Sequence, residues 1–410
     1  MTMLSAVDAF FVAHQQSSGV LMQLGVEVEL QGRIARDDVV RMLSHVVKCW
    51  PPLGQRLRQE WLGLSWGGKQ KIGDMLRVAE KRDALAKWRN QPLDPFREPP
   101  FQLLWIAQDE VHLLAFRAHH AVVDGEAFFA VCAEALRSLA GKAAASDNAD
   151  KEGFNRPAKV KDAWQKLEEL RKQAQSDRSA RIAVRSNAPG PIAIVERDLE
   201  RDRLSGWLCA GAWVKAIHEW NCSRGPTTTS LISLEVPVSL RRSRDQHLSI
   251  GNQISPLVLY GDAIQPLEDL ALHLKQQMSS AMRQRMHLAL PAVSAPAKFL
   301  PWEVFRRLAA SPELTGFATS HFAWFERAQT IHDEVFNASK GALQIVDQQI
   351  YTPVCLHMGA AVAILAWPER VQIFLTHRLN ALSSSDANVL LDLMVQDLGT
   401  QSLSRQQVAV

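Results

Sequence analysis

The sequence has few cysteines and no arrangement of them that predicts a disulfide framework or a zinc site. Five cysteines are scattered through 410 residues, and none of them forms a CxxC pair or a cluster with histidines at zinc-ligand spacing. An odd number of widely separated thiols indicates a reducing compartment. We therefore expect neither structural disulfides nor a bound metal.

Long apolar runs and a strong charge imbalance are also missing. The longest apolar run, about 359–367, is far shorter than the roughly 20 residues of a membrane-spanning helix. Residues 1–11 lack the basic region of a signal peptide. Lys and Arg total 46 against 43 Asp and Glu, so the net charge of +3 does not indicate a nucleic-acid partner. We expect a cytoplasmic protein without an integral membrane segment. Peripheral membrane contact through an apolar patch is compatible with this expectation.

The composition is that of an ordinary globular protein, with 47% apolar and 22% charged residues and a length that fits two or three domains. Hydrophobic periodicity predicts strands and helices in both halves of the chain. The stretch 141–190, which is rich in Ala, Lys and Asp at its start, is interpreted as a surface crossover between two halves. The predicted organisation is an N-terminal lobe over 1–150, a linker over 151–190 and a C-terminal lobe over 191–410, with a ligand site between the lobes. Predicted strands are 20–30, 111–118, 230–238 and one or two within 361–376, and predicted helices are 35–50, 126–140, 199–221, 267–285 and 385–398.

The most informative segment is His119-His120-Ala-Val-Val-Asp124-Gly125, which directly follows a predicted strand and precedes a predicted helix. A neutral imidazole can take a proton from an alcohol or an amine at neutral pH. Because neighbouring strand residues point to opposite faces, only one of the two histidines can face a given pocket. Asp124 is interpreted as a brace that pairs with a cation from elsewhere. In the purely structural alternative, Asp124 caps the helix, Gly125 is a turn residue and both histidines are a polar strand end.

This HHxxxDG pattern resembles the motif of the chloramphenicol acetyltransferase-like superfamily of coenzyme A-dependent acyltransferases. That superfamily includes nonribosomal peptide condensation domains, plant alcohol acyltransferases and bacterial wax ester synthase/diacylglycerol acyltransferases. Residues 4–11 are similar to the wax ester synthase N-terminus, and 92–99 resemble the segment ahead of the motif strand. Residues 236–241 and 250–252 resemble the superfamily's Arg and Gly-Asn segments. The C-terminal half lacks a counterpart of the Ser-Asn-Val-Pro-Gly-Pro segment of wax ester synthases, which argues against lipid substrates.

The resemblance implies a two-lobed α/β fold in which each lobe has a mixed sheet flanked by helices and an active-site tunnel runs between the lobes. It implies that His120 is the general base and that Asp124 pairs with Arg241 from the other half. His119 and Gly125 complete the catalytic motif. Asn252 is implied as a substrate-binding residue.

Residues 319–324 resemble the strand from which chloramphenicol acetyltransferases supply a serine hydroxyl to the developing oxyanion, which makes Ser320 a candidate donor. Alanine at position 323 replaces the usual proline there. The resemblance implies an acyltransferase that moves an acyl group from acyl-CoA, a co-substrate and not a bound cofactor, to a hydroxyl or amine acceptor. One alternative is a stand-alone condensation-type enzyme of secondary metabolism that uses a donor bound to an acyl carrier protein. A further alternative is a non-catalytic binding protein of the same fold.

Overall fold

The computed structural model describes residues 2–68, 71–108, 110–142, 162–166, 168–169, 180–201, 204–225, 229–241, 250–310, 320–325, 343–356 and 358–399. The chain forms two α/β lobes, each built on one mixed sheet. The α-helices with both ends described are α1 (Ala6–Ser18), α2 (Arg36–Cys49), α3 (Ala84–Asn90), α4 (Gly125–Leu139), α5 (Gly206–Arg224), α6 (Leu267–Arg283), α7 (Ala289–Ser294), α8 (Trp302–Ala309) and α9 (Ser384–Asp397), and 162–166 and 168–169 are also helical. The strands are β1 (Thr2–Met3), β2 (Gln23–Gly32), β3 (Arg56–Gln59), β4 (Leu64–Gly67), β5 (Leu76–Ala79), β6 (Phe101–Gln108), β7 (Val111–His119), β8 (Ile192–Glu200), β9 (Leu231–Ser239), β10 (Ile254–Asp262), β11 (Ser320–Phe325), β12 (Leu343–Tyr351), β13 (Ala360–Ala366) and β14 (Arg370–Arg378).

The sheet of the N-terminal lobe has the strand order β12-β2-β7-β6-β5. Neighbours are antiparallel except for the parallel pair of β5 and β6. Strand β2 shows how one face of this sheet contributes to the main core: Val26, Val28 and Leu30 join the hydrophobic core at alternate positions, as the period of a strand requires. Its polar positions face the other way, where the buried Glu27 pairs with Arg89. The helices α2 and α4 cover the apolar side of the sheet.

The sheet of the C-terminal lobe has the order β10-β9-β11-β13-β14-β8. Strand β11 runs parallel to both β9 and β13, and the other pairs are antiparallel. Every residue of Ala360–Ala366 is buried, which fits a central strand covered on both faces. Helices α5 and α9 pack on one face and form the second core with it. A small third sheet of β1, β4 and β3 lies beside the N-terminal lobe.

The main predicted elements are confirmed, because strong periodicity marked them. The strands predicted at 20–30, 111–118 and 230–238 correspond to β2, β7 and β9, and 361–376 forms the two strands β13 and β14. The helix predicted over 199–221 begins only at Gly206, since Leu199 belongs to β8 and fills the C-terminal core from there. Most of the predicted linker lies outside the described residues.

The division into lobes at 150 and 190 stays a prediction, and one strand crosses it. Strand β12, which comes late in the chain, pairs with β2 in the N-terminal sheet. Gly25 makes this pairing possible, because a Cβ there would lie 1.8 Å from the ring of the buried Tyr351. None of the helices in the described ranges has the length and apolar character needed to cross a membrane.

Candidate active site

The two motif histidines diverge at the end of β7. His119 is fully buried, and its Nδ1 accepts a hydrogen bond from the backbone N–H of Ala121 at 3.0 Å. Burial lowers the pKa of His119 to about 3, with a smaller contribution from the neighbouring imidazole of His120. His119 is therefore neutral at physiological pH, and its visible role is to fix the turn that follows the strand.

His120 is held as a neutral imidazole with one free lone pair. Its Nδ1 lies 3.0 Å from the carbonyl oxygen of Val123. Because a carbonyl oxygen only accepts, Nδ1 must carry the ring proton and Nε2 must be unprotonated. Nε2 has no hydrogen-bond partner among the described residues. Burial lowers the pKa of His120, and the ring stacks on Phe11 with centroids 3.8 Å apart. These are the properties of a general base that is ready to take a proton.

Asp124 is placed as a brace and has no free oxygen for chemistry. It is the N-cap of α4, where Oδ1 accepts from the backbone N–H of Ala127 at 2.9 Å. Oδ2 accepts from Nη1 of Arg241 at 2.5 Å and from the backbone N–H of Gln253 at 2.9 Å. The carboxylate is fully buried, and the Arg241 side chain is 2% exposed. The structure thus brings together Asp124 and the arginine that the resemblance paired with it.

The Gly251-Asn252 segment connects the C-terminal half to the motif turn. The N–H of Gly251 donates to the Val122 carbonyl at 2.8 Å, and Gly251 adopts a φ of 100°, which favours glycine. Both the backbone N–H and the side-chain amide of Asn252 donate to Oδ1 of Asp8, at 2.8 and 2.7 Å. The same amide donates to the His120 carbonyl. Asn252, expected to bind substrate, is 5% exposed, and its Oδ1 has no hydrogen bond in the described structure.

Strand β11 points Ser320 and His321 to opposite faces of the sheet. Phe322 belongs to the C-terminal core, so Ser320, two residues away, faces the helices on that side. Ser320 is fully buried, and its hydroxyl has no partner in the described part of the chain. Phe325 lies on the other face, where its ring fills the space that a side chain at Gly125 would need. His321 shares that face, where a proton on its ring would oppose a second positive charge on His120, a minor cause of the lowered pKa of His120.

Sequence reasoning missed three residues that the structure places around His120. These are Phe11, which stacks on the ring, Asp8, which anchors Asn252, and His321. Asp8 and Phe11 fall in the opening segment that the resemblance matched without giving it a role. His321 follows Ser320 directly, and the two-residue period of a strand is the signal that distinguishes their faces.

Comparisons with known proteins show the fold. Neither a protein-family model nor a curated protein sequence matches the chain. A mutant of the starter condensation domain of rhizomide synthetase RzmA in complex with C8-CoA is similar, with a TM-score of 0.67, 14% identity and coverage of 97% of this chain and 95% of that one. TRI3 trichothecene 15-O-acetyltransferase from Fusarium sporotrichioides has a TM-score of 0.73 at 10% identity, covering 96% of this chain and 93% of that one.

The condensation domain of the Monacolin K polyketide synthase MokA is a third similar structure, with a TM-score of 0.67, 12% identity and coverage of 97% of this chain and 96% of that one. All three likenesses span almost the whole of both chains, so they concern the complete two-lobed architecture. They confirm the fold that the HHxxxDG resemblance implied. The chain therefore has the two-lobed α/β fold that condensation domains share with an O-acetyltransferase.

Proposed function

We propose that the protein transfers an acyl group from a thioester to a hydroxyl or amine acceptor, with His120 as the general base. The observation that carries this proposal is the fixed tautomer of His120. The Val123 carbonyl keeps the proton on Nδ1, so the Nε2 lone pair is available to the acceptor. Burial favours the neutral, proton-accepting form of the ring.

The reaction needs one base that acts twice. As the acceptor oxygen or nitrogen attacks the thioester carbonyl carbon, its proton moves to Nε2 of His120. When the tetrahedral intermediate collapses, the carbon–sulfur bond breaks and the leaving thiolate takes that proton. The negative charge of Asp124 favours the transient imidazolium, although its carboxylate is bound to Arg241. These reaction steps require no covalent acyl-enzyme.

The donor is a thioester of coenzyme A in our proposal. The RzmA starter condensation domain that resembles this chain was crystallised with C8-CoA. The MokA domain and the X-domain from teicoplanin biosynthesis, which are also similar, belong to biosynthetic synthases or pathways. A donor loaded on a carrier protein is therefore the second candidate, and the same His120 chemistry would serve it.

The test is release of free thiol from a panel of acyl-CoA donors with mixed alcohol and amine acceptors. We expect acceptor-dependent release that falls by about 10²- to 10⁴-fold in His120→Ala, the usual contribution of a general base. His273→Ala, at an exposed position of α6, is the matched control and should behave as wild type. Accumulation of a stable acylated enzyme with donor alone would contradict direct transfer. If no thiol is released from any CoA donor or from loaded carrier proteins, the non-catalytic binding alternative would be favoured.

A further inference from the structure

A second acid–base pair lies on the C-terminal sheet, outside the HHxxxDG motif. Glu235 on β9 and His321 on β11 are register partners in a parallel pair of strands. Nδ1 of His321 lies 3.6 Å from Oε1 of Glu235. The side chain of His321 is 17% exposed and that of Glu235 is 19% exposed, so both are largely buried but still accessible to solvent.

The pair faces the motif and not the helices of its own lobe. Leu234 and Phe322, the neighbours of Glu235 and His321 in sequence, both belong to the C-terminal core. By strand alternation, Glu235 and His321 point to the opposite face. On that face Phe325, also of β11, packs against the motif residue Gly125, and a proton on the His321 ring would oppose protonation of His120. The pair therefore lies on the face of the C-terminal sheet that packs against the motif.

The Glu235 carboxylate interacts electrostatically with the Cys355 thiol. Burial, with a smaller contribution from the Glu235 carboxylate, raises the pKa of the Cys355 thiol to about 12, so this neighbour is uncharged. Cys355 packs with Val354, Met358 and Ala361. The Arg378 guanidinium next to it is bound by backbone carbonyls of Asn187, Ala188 and Leu356.

We infer that the Glu235–His321 pair is the subsite for the acyl acceptor and that it receives an amine in its ammonium form. This inference rests on the proposed function and names the acceptor class for it. An alkylammonium offers a positive charge and N–H donors to the Glu235 carboxylate. An alcohol of the same length offers only one neutral donor.

Proton counting supports an amine over an alcohol. An alcohol loses one proton when it is acylated, and His120 alone takes it and returns it to the thiolate. An ammonium must lose two protons: one before its nitrogen has a lone pair for attack, and one as the amide forms. The first goes to the imidazole of His321, supported by Glu235, and then to solvent. The second goes to His120 and leaves with the thiol, so the products are amide, free thiol and one released proton.

Binding measured without any donor tests the subsite independently of catalysis. Isothermal titration calorimetry with hexylamine and hexanol compares wild type, Glu235→Gln and the exposed control Glu268→Gln on α6. Loss of a charge-assisted hydrogen bond should weaken hexylamine binding by about 10- to 100-fold in Glu235→Gln and leave hexanol binding unchanged. Equal hexylamine affinity in wild type and Glu235→Gln, or an equal loss for hexanol, would overturn the inference. If Glu235→Gln does not fold, Glu235→Asp and His321→Gln carry the same comparison.

Measuring acyl transfer to hexylamine and to hexanol distinguishes a failure of this inference from a failure of the proposed function. With an acyl-CoA donor we expect transfer to hexylamine at a higher kcat/KM than to hexanol, and a selective rise of KM for hexylamine in Glu235→Gln. Transfer to hexanol with none to hexylamine keeps the proposed function and overturns the amine subsite. Transfer to neither, from CoA or carrier donors, overturns the proposed function, and the calorimetry still decides whether an ammonium binds at Glu235.

Discussion

Removing the guanidinium of Arg241 should destabilise the protein far more than removing an exposed arginine. The Asp124 carboxylate is fully buried and accepts from Arg241 and from two backbone N–H groups. Arg241→Met keeps much of the side-chain volume and leaves a buried charge without its counter-ion. Breaking a buried pair in this way costs about 3–5 kcal/mol in the free energy of unfolding.

Urea denaturation followed by circular dichroism measures this loss. Arg306→Met is the matched control, because Arg306 pairs with Glu303 on the surface of α8 and such pairs contribute about 0–1 kcal/mol. In the double variant with Asp124→Asn, which retains a capping side chain, we expect recovery of at least about 1 kcal/mol, because the uncompensated charge is gone. A loss below about 1 kcal/mol for Arg241→Met, equal to that of the surface control, would refute the reasoning that Asp124 depends on Arg241 as its buried counter-ion.

Three further predictions concern the base and the sheet that positions it. The kcat/KM should rise with pH through a pKa below 6.5 and level off by neutral pH, because the lowered pKa of His120 leaves the ring unprotonated at neutral pH and protonated only in acid. A pH–rate profile whose acid limb has a pKa well above 6.5 would contradict this prediction. Phe11→Ala should lower kcat by about 10- to 100-fold in the thiol-release assay, because the stacked ring fixes the imidazole, while the unfolding midpoint changes little in comparison. Gly25→Ala should cost about 1–3 kcal/mol in urea unfolding through overlap with Tyr351, whereas Gly73→Ala, with open space around it, should cost much less.

Local pattern in the sequence predicted those elements whose burial follows a single period. Strand β7 and helix α4, which flank the motif, were predicted almost to their ends because one is mostly apolar and the other has one apolar face. Strand β8 was missed, since most of its residues are only half-buried and alternate weakly. The pairing of β12 with β2 depends on the fit of Tyr351 against Gly25, a contact between distant parts of the chain that no local period encodes.

At the site, residue types could be predicted and their orientations could not. The HHxxxDG pattern indicated a histidine base and an aspartate brace, and the structure shows a geometry suited to both roles. Which face of β11 carries Ser320 and which carries His321 depends on how that strand packs on the helices of its lobe. Asn252 illustrates the same limit, because its amide is occupied by Asp8 and the His120 carbonyl, partners that lie 244 and 132 residues away in the chain.

The orientation of His120 depends on contacts from both lobes, which explains why the motif alone does not specify it. The Nδ1 proton is fixed by Val123 within the turn, and the ring is fixed by Phe11 from α1. The backbone of the turn is held by the Asn252 amide from the C-terminal half. Asp124 and Arg241 then close the same junction through a buried ion pair. The His120 imidazole is therefore held in this orientation only when the lobes are together, so the contacts that stabilise the fold at this junction also orient the base that we propose.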